Sequence, residues 1–138
     1  MRASARRTVS TSGSSGTDGS RVEFIVEGTL DATGASGNEI VFHSGDPAPA
    51  KSDWYGIRFQ NTADSSSSNL IFTEIRHTRY AIRLSNSSPT FEDLTIELAA
   101  TGGLHGSART GVPFSPSRMT VSDAGIPVAL TGIAGTWT

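Results

Sequence analysis

Cysteine is absent from the 138-residue chain, which excludes a disulfide framework, an iron–sulfur cluster and any cysteine-based zinc site, so stability rests on burial and hydrogen bonding. Long apolar runs are missing too, and nothing approaches the roughly 18 residues of a membrane-spanning helix. Charge is sparse and balanced: 17% of residues are charged and the net charge is −2. A general attraction to nucleic acid is therefore not expected. Helical periodicity is equally scarce, because no extended window keeps apolar residues at i, i+3, i+4 and i+7, and the one helix-like stretch, Leu94 to Ala100, runs into Thr101-Gly102-Gly103. At about 150 residues per domain, this length allows a single domain.

What is present is a two-part chain. Residues 1–20 carry Arg2, Arg6 and Arg7 and then a Ser/Gly/Thr stretch with almost nothing to bury, so they are expected to be a flexible tail. The arginines do not lead into the apolar segment of a secretory signal. From Arg21 onward, short apolar segments alternate with Gly, Pro, Asn, Asp and Ser, the pattern of strands and turns. The clearest strands are Val22 to Val26, Ile40 to Phe42, Gly56 to Phe59, Leu70 to Phe72, Ala81 to Leu84, Phe91 to Ile96, Met119 to Val121 and Pro127 to Leu130.

Self-similarity sets the architecture. Ile75, Ile96 and Val121 recur at a period of roughly 21 to 25 residues. The pairs Ile57/Phe59 and Ile82/Leu84 stand one such period apart, and Val128/Leu130 follows two periods later. Those pairs are expected to point inward, with Arg58, Arg83 and Ala129 between them facing solvent. Glu74, Thr95 and Thr120 then share an outward column, and the glutamate breaks the all-threonine face that ice binding requires. Gly28, Gly34 and Gly56 suit corners with positive φ, and Pro89 a strand entrance. Of the adjacent Trp54 and Tyr55, at most one is expected to face the core.

The stretches Val26-Glu27-Gly28-Thr29-Leu30-Asp31-Ala32, Ile40-Val41-Phe42, Trp54-Tyr55-Gly56-Ile57-Arg58-Phe59 and Asn86-Ser87-Ser88-Pro89-Thr90-Phe91 with Leu94-Thr95-Ile96 resemble the coils of right-handed parallel β-helix proteins of the pectate-lyase-like superfamily. The resemblance is carried by residues 21–98. It implies an all-β fold, a right-handed parallel β-helix (solenoid) of about four to five coils without long helices, over residues 21–138. It also implies an extracellular or cell-surface setting, and open ends that meet neighbouring coils of a longer chain or another copy.

The chemistry is less specific. His43, His77 and His105 stand far apart in sequence and lack metal-ligand spacing. No Gly-x-Ser-x-Gly elbow, P-loop or dinucleotide fingerprint occurs, and the catalytic pattern of the family's hydrolases is incomplete: Asn61-Thr62-Ala63 lacks the acid, no Asp-Asp exists, and Leu104-His105-Gly106 keeps part of one motif. No catalytic residue, metal or cofactor is expected. The candidate ligand site is a basic cluster of Arg58, Arg76, His77, Arg79 and Arg83, with Tyr80 or Trp54 offering a ring, suited to an anionic polysaccharide. Arg58 and Arg83 in one column would repel unless a ligand or a carboxylate such as Glu74 neutralises them. Two readings follow: a non-catalytic segment of a surface or secreted protein, serving as spacer or carbohydrate-contacting module, or a fragment or divergent member of the polysaccharide-degrading β-helix enzymes.

Overall fold

The computed structural model describes residues 2–5, 18–61 and 67–133, the first four as backbone only. Among the described residues there are strands and turns but no helix: β1 Arg2–Ala5, β2 Glu23–Val26, β3 Asp31–Thr33, β4 Ile40–Ser44, β5 Gly56–Phe59, β6 Asn69–Arg76, β7 Tyr80–Leu84, β8 Thr90–Glu97, β9 Ala99–Ser107, β10 Thr120–Val121 and β11 Ala124–Thr131. They form two sheets. Sheet A runs β1-β4-β6-β8-β10, with β3 also on β6, and sheet B runs β11-β9-β7-β5-β2. Every strand pair is parallel, and from β4 onward the chain passes alternately from one sheet to the other.

The register reproduces the spacing of apolar residues. Ile75 pairs with Ile96, and Ile96 with Val121. In sheet B, Ile57 pairs with Ile82 and Phe59 with Leu84, Ile82 with Leu104, and Leu104 with Val128. β9 therefore supplies the strand that the sequence leaves blank between the second and third apolar pairs, with Gly106 standing beside Leu84 in place of an apolar side chain. The column Glu74-Thr95-Thr120 also forms.

The core lies between the sheets. Ile57, Phe59, Leu70, Ile75, Ile82, Leu94, Ile96 and Leu104 have no exposed surface, and rings meet across the gap: Phe59 lies 6.3 Å from Phe91, and Phe24 lies 5.9 Å from Phe42. Phe114, from the segment after β9, is 1% exposed and packs edge-on against Phe91 at 5.6 Å.

Backbone corners repeat as well. Phe72, Asp93 and Arg118 have φ of 45°, 47° and 48°, and His77, Leu98 and Asp123 have φ of 64°, 56° and 48°. In each series the members are spaced just as Ile75, Ile96 and Val121 are. The first series interrupts the sheet-A strands, since the ladder skips from Ile71↔Glu92 to Thr73↔Leu94. The second turns the chain out of that sheet.

Several expectations need correction. Trp54 and Tyr55 are both buried, at 1% and 4% exposure, because they precede β5 at a corner rather than alternating within a strand. Val128 points along the buried row yet is 37% exposed, since β11 is the outermost strand of sheet B. Of the three proposed corner glycines only Gly56 has positive φ, at 125°; Gly34 is needed for space, as a Cβ there would meet the Phe72 carbonyl at 2.6 Å. Residues 2–5 of the expected flexible tail form β1 on β4, and Asp18 is anchored by the side chains of Arg21 and Arg79; residues 6–17 lie outside the described residues. Pro89 stands immediately before β8, as its missing donor favours.

Candidate functional site

The seven residues of the anticipated ligand site divide among four surroundings. Arg58, Tyr80 and Arg83 lie on sheet B. Arg79 sits at the turn before β7, Arg76 and His77 at the end of β6, and Trp54 in the core, where its indole N–H donates to the Arg76 carbonyl at 2.8 Å. A ring this enclosed offers no face to a sugar.

On sheet B the register places Arg58, Arg83, His105 and Ala129 side by side. The two guanidinium groups diverge rather than share a counter-ion. Arg58 Nη1 approaches Glu23 Oε2 at 3.5 Å, whereas the Arg83 guanidinium lies 4.8 Å above the Tyr80 ring, an attraction worth about 0.5–1 kcal/mol at a partly exposed site. Glu74, anticipated as the neutralising acid, belongs to sheet A and pairs with Arg76 instead. Tyr80 also meets Tyr55 at 5.7 Å and His105 at 5.2 Å between ring centres. His105 Nε2 lies 2.8 Å from the Ile126 carbonyl; a carbonyl only accepts, so that nitrogen carries the proton. Gly102 makes room for the imidazole, because a Cβ there would come within 2.3 Å of Nε2.

On sheet A, a polar groove of about 490 Å³ runs between the 37–39 turn and the side chains of His43, Glu74, Arg76 and His77. His43 and His77 lie 6.5 Å apart. His43 Nδ1 donates to the Ser44 carbonyl at 2.6 Å, and His77 Nδ1 accepts weakly from the Ser44 N–H at 3.4 Å. Burial lowers the His77 pKa from its ordinary 6.5, and His43 and Arg76 push the same way against Asp53 and Glu97. Arg76 is held by Glu74 and by Glu97, the latter at 2.7 Å.

Arg79 closes a third cluster. Its Nη1 is 3.0 Å from Asp18 Oδ2, which Arg21 also contacts at 2.7 Å. Asp18 is held far below the usual carboxylate range, chiefly by the Ser20 hydroxyl, with the Ser20 N–H, Arg21 and Arg79 adding to it and burial opposing.

Among the described residues, no three of His, Asp and Glu converge so as to hold a metal ion, and no helix is long and apolar enough to cross a membrane. Sequence reasoning missed the approach of His43 to His77, because the pairing of β4 with β6 sets Val41 on Glu74, a longer step along the chain than the one from Glu74 to Thr95. It also missed His105 as a neighbour of Tyr80, although the step from Arg83 to His105 matches the apolar period and so carries that signal. No family model, curated protein or solved structure matches the chain.

Proposed function

We propose that this chain is a non-catalytic parallel β-helix segment of a surface or secreted protein, working as a rigid spacer with one carbohydrate-contacting face. The observation that supports it best is the pair of left-handed corner series, Phe72-Asp93-Arg118 and His77-Leu98-Asp123, which recur in step with the parallel pairing of both sheets. One corner set repeated once per layer is what coil-on-coil winding requires. The carbohydrate reading rests on the Tyr80-Arg83-His105 group, where, among the described residues, Arg83 meets an aromatic ring and not a carboxylate. Arg58, Arg76 and Arg79 are by contrast already engaged by acids, so they add little net attraction for an anionic polymer.

The test is retention on immobilised polygalacturonate against a neutral polysaccharide column, for the wild type, Arg83→Ala and Tyr80→Ala. Retardation on the acidic column alone, weakened by salt and lost in Arg83→Ala, is the expected result. Equal elution from both columns removes the carbohydrate role and leaves the spacer. Release of reducing ends or unsaturated uronates from the polymer would overturn the non-catalytic reading.

A further inference from the structure

The two ends of the molecule are unlike, and they complement each other. Strands of sheet B lead in sequence to strands of sheet A: β2 to β3 and β4, β5 to β6, β7 to β8, β9 to β10. Among the described residues, two strands are left without a counterpart in their layer. β1 lies in sheet A beyond β4, and β11 lies in sheet B beyond β9. Each end thus carries half a layer, on opposite sheets.

The exposed apolar side chains follow the same plan. Phe24 at 41%, Ile126 at 54%, Val128 at 37% and Ile133 at 39% are the exposed large hydrophobic residues among those described. Phe24 is on β2 and Ile126 and Val128 are on β11, the two outer strands of sheet B. Phe24 and Val128 also terminate one row, Phe24-Ile57-Ile82-Leu104-Val128, whose three interior members have no exposed surface. Among the described residues the row is apolar at both of its outer members.

We propose that a second copy of this chain docks head to tail, with β11 of one copy beside β2 of the next. This rests on the parallel β-helix reading and, of the two occupants open for its ends, takes another copy of this chain in place of neighbouring coils of a longer one. In that arrangement Val128 meets Phe24, Leu130 meets Val26, and the two half-layers, β11 in sheet B and β1 of the next copy in sheet A, complete one layer. A two-fold arrangement of two β11 edges would run those strands antiparallel and leave both half-layers of sheet A unmatched. The contact is therefore heterologous, and repetition makes it open-ended. Outer parallel strands that carry apolar rows favour such pairing.

The test is sedimentation of the full chain over a range of concentrations up to millimolar, for the wild type, Phe24→Lys and Val128→Lys. The wild type is expected to grow in mass with concentration without stopping at a dimer, and each variant alone to remain a monomer. An equimolar mixture of the variants is expected to give a species of twice the chain mass, because each retains one intact end. A variant that loses the wild-type β-type melt is replaced by Ile126→Lys for the β11 end or Phe24→Glu for the β2 end. A wild type that melts cooperatively yet stays monomeric overturns the docking alone. So does a variant that still self-associates, or a mixture that fails to pair when the wild type associates. A wild type lacking a cooperative β-type melt overturns the parallel β-helix reading beneath it.

Discussion

His77 occupies a left-handed corner, with φ of 64°, between His43, Arg76, Asp53 and Glu97, and burial depresses its pKa from 6.5. The unfolded chain therefore takes up a proton near 6.5 that the folded chain accepts only at lower pH. In that interval the unfolded state binds more protons, so stability rises with pH and falls on acidification through it. An NMR titration of the imidazole protons is expected to give a midpoint below 6.5, and His77→Gln should weaken the decline of melting temperature between pH 6.5 and the folded midpoint. A midpoint at or above that ordinary value contradicts the burial argument. Gly56 makes a different demand. At φ of 125°, a Cβ would stand 1.7 Å from the Tyr80 carbonyl oxygen, whereas at Gly28 nothing lies within 4 Å. Gly56→Ala is expected to cost about 2 kcal/mol or more and Gly28→Ala well under about 1 kcal/mol, read from urea midpoints. Of these two glycines, composition alone marked both as corners; the difference lies in what the neighbouring strand brings close, which a single sequence does not display. The same holds for Trp54, whose burial depends on a bend that strand alternation does not describe.

Strands were legible where apolar residues stood in pairs, because an Ile-x-Phe or Ile-x-Leu spacing is itself the inward face of a strand. β5, β7, β8 and their register followed from such pairs. β9 did not, since its row reads Gly102, Leu104, Gly106: the glycines hide the apolar pattern while serving close approach, as at Gly106, where a Cβ would lie 2.0 Å from the Leu84 carbonyl oxygen. Phe114 was unreadable for the opposite reason, being a buried ring in a segment of turn residues. The left-handed corners carry a prediction of their own. Leu98 holds φ of 56°, a region that costs a non-glycine residue about 1–2 kcal/mol and that asparagine tolerates better. It is half-buried, and its counterparts in the same series, His77 and Asp123, are both polar. Leu98→Asn is expected to raise stability by about 0.5–1 kcal/mol, measured as an upward shift in the chemical denaturation midpoint with unchanged slope. A loss of stability would mean that the Leu98 side chain contributes more by packing than its backbone costs.

At the scale of the whole molecule, strands contact mainly their neighbours in the same sheet, and on the proposed parallel β-helix reading stability is expected to be close to a sum over layers and their nearest neighbours. The interior layers have two such neighbours and the outer ones have one. The burial follows: Ile57, Ile82 and Leu104 have no exposed surface while Phe24 and Val128, at the ends of their row, are 41% and 37% exposed. Local opening should therefore be graded along the stack and not uniform, because an end layer separates at the loss of one interface whereas a central one must lose two. Native-state hydrogen exchange on the dilute chain is expected to show the slowest amides in β7 and its partners β5 and β9, and the fastest in β2 and β11. Head-to-tail docking adds a second signature: raising the protein concentration should slow β2 and β11 together, since each supplies one side of the same contact, while leaving β7 unchanged. Equal protection in all strands at low concentration would make the molecule one cooperative unit and remove the nearest-neighbour account. Slowing of β11 without β2 would place its partner somewhere other than the opposite end of an identical chain.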